Sequence, residues 1–148
     1  MSEGMSIDEI AKAMIENKAI LTEALISQED VTPQELLEYM SGETPTGDKT
    51  TISDVIMHRW LLLHELAELK HLKLRGFFIS RRLVWDSYLD VLEAHIAATA
   101  VELKMATKHG DQEWVRSRVE LIPSWLEDSD MPPELRSALL NLLEHYKR

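Results

Sequence analysis

The chain has 148 residues, no cysteine, and 26 acidic against 16 basic side chains, for a formal charge of −10. That length can bury one core without staples, the missing thiols exclude disulfides and thiolate metal sites, and the acidic balance opposes nonspecific nucleic-acid binding. The polar opening MSEGMSIDEI lacks an apolar h-region and no apolar run nears the roughly 20 residues of a spanning helix, so a soluble cytoplasmic protein is expected, with no membrane contact.

Five glycines and five prolines fall where helical spacing stops, and alternating β-branched runs are absent. The pattern predicts an all-α single domain, a bundle of about five to six helices. SIDEIAKAMIENKAILTEALI opens with Ser6 and Glu9 as a capping box and sets Ile7, Ile10, Ala11 and Met14 on one face of a first helix. TPQELLEYM repeats the signal, with Thr32 as cap, Pro33 at the first helical position and Glu35 closing the box. This second helix ends before the loop SGETPTGDKT. Residues 1–48 hold 11 acids against 2 bases, whereas residues 49–148 hold 15 against 14. The N-terminal helices therefore read as an acidic element, solvated or facing a partner.

A third helix is expected from Ile52 to Arg75, stopped by Gly76 in the left-handed cap position. A fourth runs from near Ser80 to Gly110. A tight turn at Phe77-Phe78 makes them an antiparallel hairpin spanning residues 52–109, with residues whose numbers add to about 155 at one level. That register sets Glu65 level with Asp90, His58 with Ala97, and Tyr88 beside Ala67 and Glu68. In residues 111–148 a fifth helix carries Trp114 and Val115 until Ile122-Pro123 kinks or ends it. Pro132-Pro133-Glu134 starts a last helix with Leu135, Leu139 and Leu142 or Leu143 inward. Trp60, Trp85, Trp114 and Trp125 are placed to anchor the core or an interface.

The stretch LLLHELAELKHLKLRG carries the chemistry. His64-Glu65-Leu66-Ala67-Glu68 resembles the zincin helix motif, in which two histidines one turn apart hold zinc and the glutamate after the first is the base; here Glu68 stands at the second ligand position. Glu68-x-x-His71 resembles half of a di-iron carboxylate bundle, whose second half would be Glu93-Ala94-His95, one residue short. Glu65-x-x-Glu68 followed by Asp90-x-x-Glu93 resembles the paired acidic motifs of the all-α nucleotide pyrophosphatases of the MazG type, which hold Mg²⁺. From spacing alone, His64, Glu68 and His71 share one stripe, and two imidazoles with a carboxylate suit Zn, Fe, Mn or Ni. On the fourth helix Tyr88, His95 and Glu102 share an apolar stripe and need a polar explanation.

The turn LKHLKLRGFFISRR gathers Lys70, Lys73, Arg75, Arg81 and Arg82. Bases at the end of the third helix complement its dipole, whereas Arg81 and Arg82 stand at the wrong end of the fourth. An anion, a partner or the acidic N-terminal segment is expected there, beside the apolar tip Phe77-Phe78-Ile79.

Two function classes follow. One is a helical module that forms homo-oligomers or binds a protein partner, with the His/Glu cluster as a satisfied internal network. The alternative is a divalent-metal enzyme hydrolysing a phosphoester or nucleotide. His64, Glu68 and His95 are then the ligands of one Zn, Mn or Fe ion and Glu65 the base. His58, His71, Tyr88 and Glu102 are further candidates.

Overall fold

The computed structural model describes residues 7–42 and 51–147, and every regular element among them is helical. The helices are α1 (Ile7–Glu16), α2 (Lys18–Glu23), α3 (Pro33–Met40), α4 (Ile52–Met57), α5 (Arg59–Leu74), α6 (Leu83–Asp86), α7 (Tyr88–Lys108), α8 (Gln112–Val119), α9 (Ile122–Trp125) and α10 (Pro133–Tyr146). The all-α expectation holds. Among the described residues no helix is long and apolar enough to cross a membrane.

The first expected helix is interrupted at Asn17, whose side-chain amide donates to the Ala13 carbonyl at 2.8 Å. Such back-bonding competes with the helical ladder and bends it. The Ser6 half of the first capping box lies outside the described residues, as does 43–50 of the following loop. The second box is formed as read: the Thr32 hydroxyl accepts from Glu35 N at 3.1 Å and Thr32 N donates to the Glu35 carboxylate at 2.9 Å. At Gly42, which follows α3, an added Cβ would collide with the Arg81 backbone carbonyl, so this glycine lets two chain segments meet.

The third expected helix is two helices. His58 is extended, at φ −136° and ψ 119°, and its Nδ1 accepts from Trp60 N at 3.3 Å, capping α5 while ending α4. Gly76 takes the left-handed cap at φ +91°, with Phe77 N donating to Leu72 O at 3.0 Å. The tight turn expected after it is absent. Residues 75–87 form a longer connection containing α6, and Ser87, at φ −138° and ψ 47°, breaks the expected fourth helix.

This longer connection resets the hairpin. His71 faces Glu93, Glu68 faces His95 and His64 reaches Glu102, so α5 and α7 run antiparallel. Compared with the expected register, α7 is displaced by roughly two to three helical turns. Of α5, Trp60, Leu62, Leu63, Leu66, Leu69 and Leu72 are fully buried, which makes it the central helix. A smaller core of Ile96, Ile122, Met131 and Leu139 joins α7, α9 and α10. In α10, Leu139 is buried while Leu135, Leu142 and Leu143 are partly covered, in line with the inward face read from the sequence. Trp60 is buried and Trp85 is 47% exposed, so Trp85 anchors no core.

Helix α2 ends on Leu25 at φ +64°, with Ile26 N donating to Leu21 O at 2.8 Å. A branched residue with an 80% exposed side chain in this region packs little and is strained. Leu25→Gly is expected to stabilise the protein by about 0.5–1 kcal/mol, because relief of the left-handed strain exceeds the added unfolded-state freedom. Chemical denaturation checks this; a less stable variant would show that the leucine side chain matters there.

Candidate metal centre

Four polar residues are buried among the described ones: His64, Glu68, Thr99 and Glu102. Thr99 satisfies itself on its own helix, donating to the His95 carbonyl at 2.8 Å. The other three belong to one cluster. Spacing of four on α5 stacks His64 and Glu68 on the stripe that faces α7, and spacing of seven on α7 sets His95 and Glu102 on the stripe that faces back.

Three atoms meet at the centre. His64 Nε2 is 3.2 Å from Glu68 Oε1 and 3.1 Å from His95 Nδ1, and His95 Nδ1 is 3.3 Å from the same Glu68 oxygen. Donors bound to one tetrahedral or octahedral ion at about 2.0–2.2 Å lie at such mutual distances. Two imidazoles and a carboxylate are a donor set for Zn or for Fe(II) and Mn(II). The side chains become more accessible from His64 to His95, at 1% for His64, 6% for Glu68 and 27% for His95.

An outer layer fixes these donors. His64 Nδ1–H donates to Glu102 Oε1 at 2.8 Å, which leaves Nε2 directed at the other two atoms. Glu102 is in turn held by Trp114 Nε1 at 2.8 Å and by Arg118 through Nε at 2.7 Å and Nη2 at 3.2 Å. The Tyr39 hydroxyl donates to Glu68 Oε2. Trp125 stands edge-on to His95, ring centroids 4.8 Å apart, and the Arg118 guanidinium lies between Trp114 and Trp125. A carboxylate behind a ligating imidazole is the usual support for a metal-bound histidine.

The electrostatics follow from burial against pairing. Burial disfavours the imidazolium of His64, but hydrogen bonds to Glu102 and Glu68, with the charges of Glu102 and Glu65, outweigh it and raise its pKa to about 10. Burial pushes Glu68 up, while His64 and His95 more than reverse this and hold it below the usual carboxylate range. Glu102 is likewise lowered despite burial, by His64 and then Arg118.

The remaining sequence candidates fall outside the cluster. Glu65 is half-buried on α5 and reaches His64 through its field. His58 stacks on Trp114 at 4.0 Å, and burial lowers its pKa. His71 pairs with Glu93 at 3.4 Å; burial and then Arg75 lower its pKa. Tyr88 donates to Asp128 at 2.7 Å, and burial together with Asp128 pushes its hydroxyl up to about 12. It therefore does not sit beside Ala67 and Glu68. Because Glu68 turns to His95 while His71 and Arg75 take Glu93, neither the di-iron half-motif nor the paired acidic motifs converge on one ion.

The basic turn is engaged internally. Lys70 meets Asp30 at 3.0 Å, Lys73 meets Glu35 at 2.8 Å, Arg75 contacts Glu93, Arg81 meets Glu38 at 3.3 Å and Arg82 meets Asp86 at 3.5 Å. Three of those acids belong to the acidic N-terminal third. Tyr39, Trp114 and Arg118 were not singled out by sequence reasoning as site residues. A buried glutamate on an apolar stripe, Glu102, requires a cationic partner, and that requirement was the available signal. Comparison with protein-family models, with curated proteins and with solved structures finds no match for the chain.

Two expectations follow. The folded pKa of His64 lies above its ordinary 6.5, so its contribution is complete below pH 6.5 and is lost as pH rises toward 10. Glu68 and Glu102 are depressed below 4.5, so theirs is complete above pH 4.5 and is lost in acid. In chelator, thermal melts should peak between these limits and decline on the alkaline side, less steeply in Glu102→Gln; parallel declines would remove the His64–Glu102 pair from the account. Separately, Arg81→Ala with Arg82→Ala should shift stability by under about 1 kcal/mol, since these are surface ion pairs. A larger loss by denaturant titration would make the pair structural.

Proposed function

We propose that this protein binds one divalent metal ion through His64 Nε2, Glu68 Oε1 and His95 Nδ1, as a mononuclear centre for Zn, Mn or Fe. The observation that carries this reading is the triangle of donors with edges of 3.1, 3.2 and 3.3 Å, backed by the Glu102 carboxylate on the far nitrogen of His64. A bound ion would supply Lewis-acid activation of water, the chemistry of a hydrolase. The basic turn adds little to a phosphoester or nucleotide substrate, because each of its bases already has an acidic neighbour.

A second reading, self-association, is favoured by the apolar side chains at and after the end of α5. Leu74 is 78% and Phe78 86% exposed, with Trp85 and Leu89 also exposed. Exposed aromatic surface of this kind marks contact sites. If a second copy covers it, Phe78→Asp should convert a dimer to a monomer in sedimentation, and an already monomeric wild type removes the reading.

Tag-free protein dialysed against Zn²⁺, Mn²⁺ or Fe²⁺ should retain about one equivalent by elemental analysis, and His64→Ala should retain almost none, since one of three ligands is lost. Retention should raise Tm and weaken as the histidines protonate. Wild-type protein that retains no metal from any of the three overturns the proposal.

A further inference from the structure

We infer that this centre is coordinatively open and takes a small anionic oxygen or nitrogen donor as its exogenous ligand. The inference rests on the metal reading above and goes beyond it by naming what the ion would bind.

Donor count comes first. The group of potential ligands at this point is His64, Glu68 and His95, with no further histidine or carboxylate among the described residues. The nearest other groups are turned to different partners. Both oxygens of Glu102 are used by His64, Trp114 and Arg118. The second oxygen of Glu68 accepts from Tyr39. That bond keeps Glu68 to one ligating oxygen, so it does not close a second position by chelation.

Geometry and charge then select the ligand. The three donors form a triangle with edges of 3.1–3.3 Å. An ion held about 2.0–2.1 Å from each would have three protein donors on one side, and no further histidine or carboxylate among the described residues joins them to close its remaining positions. Three protein ligands with an open position distinguish reactive from purely structural zinc centres. Neutral imidazoles contribute no charge, so the divalent ion with the Glu68 carboxylate leaves its immediate sphere positive by one. The nearby Glu102 and Arg118 form an ion pair and offset each other. An anion is the ligand that neutralises such a sphere. Access fits a small one, because His95 is the one of the three with substantial exposure, 27% at its side chain, and Trp125 crowds its ring.

Tyr39 is a positioning residue in this scheme. Phenylalanine in its place frees Glu68 Oε2 to bind the ion and fill part of the open hemisphere.

The test uses the full chain loaded with Co²⁺, whose visible d–d bands report coordination number, titrated with azide. The expected result is an intense four- or five-coordinate spectrum that shifts saturably with azide. In Tyr39→Phe, metal is retained and azide binds about tenfold more weakly, on the scale of outer-layer substitutions. Co²⁺ bound with bands that azide leaves unchanged, whatever their intensity, overturns the open centre while leaving the metal site standing. Failure to bind Co²⁺ at all overturns the metal site and this inference together. Equal azide affinity in Tyr39→Phe, with helical content unchanged, removes the role given to Tyr39.

Discussion

The constraint on which the structure turns is the burial of Glu102. A carboxylate at 0% exposure on a helix whose other buried residues are apolar apart from Thr99 costs several kcal/mol unless it is paired and fully hydrogen-bonded. Its partners come from both sides: His64 from α5, and Trp114 and Arg118 from α8. The short helix α8 is therefore held to the α5/α7 pair by polar contacts as much as by Val115 and Val119. The same logic extends outward. Glu68 draws in Tyr39 of α3, and His95 meets Trp125 of α9, so five helices touch one polar network.

Around this network part of the chain's uneven charge is paired internally. The acidic first third, read as solvated or partner-facing, sets Asp30, Glu35 and Glu38 against Lys70, Lys73 and Arg81, and Glu23 against Lys108 and His109. These pairs are half-buried or exposed and each stabilises little. Their effect is on arrangement, since they align the N-terminal helices with the basic side of the central pair and disfavour a packing that would set bases against bases.

Local signals were readable where one residue decides one backbone event. Thr32 with Glu35, and Gly76 after the third helix, act over a single turn, and they sit as the sequence indicates. The breaks at His58 and Ser87 were not readable. Neither residue is a breaker by type, and both breaks place Trp60 and Tyr88 for contacts that are distant in sequence, with Asp111 and Asp128. The juxtaposition of His64 with Glu68 was legible, because a spacing of four fixes it within one helix. The meeting with His95 depends on a connection longer than the local signals indicate, since thirteen residues, 75–87, intervene where Phe77-Phe78 reads as a tight turn. Arg118 and Tyr39 lie on other helices with no periodic mark, and tertiary packing alone brings them in.

The central triangle imposes one last requirement. With the Nδ1 proton of His64 given to Glu102, neutral His64 points a lone pair from Nε2 at the Glu68 carboxylate and at His95 Nδ1, 3.2 and 3.1 Å away. Acceptors this close repel unless a proton, on His64 Nε2 or on His95 Nδ1, or a cation lies between them. A proton on His64 meets the need, and the hydrogen bonds to Glu102 and Glu68 favour it against burial. Under the proposed metal reading a divalent ion would meet it as well, and would displace that proton, because a ligating imidazole nitrogen must be free. On that reading proton and metal would compete for the same point, with Glu102, Arg118 and Tyr39 as the outer layer that holds the donors. A positive charge on His64 is thus what lets a helical core tolerate two buried carboxylates facing each other across one imidazole, with Arg118 as the second partner of Glu102.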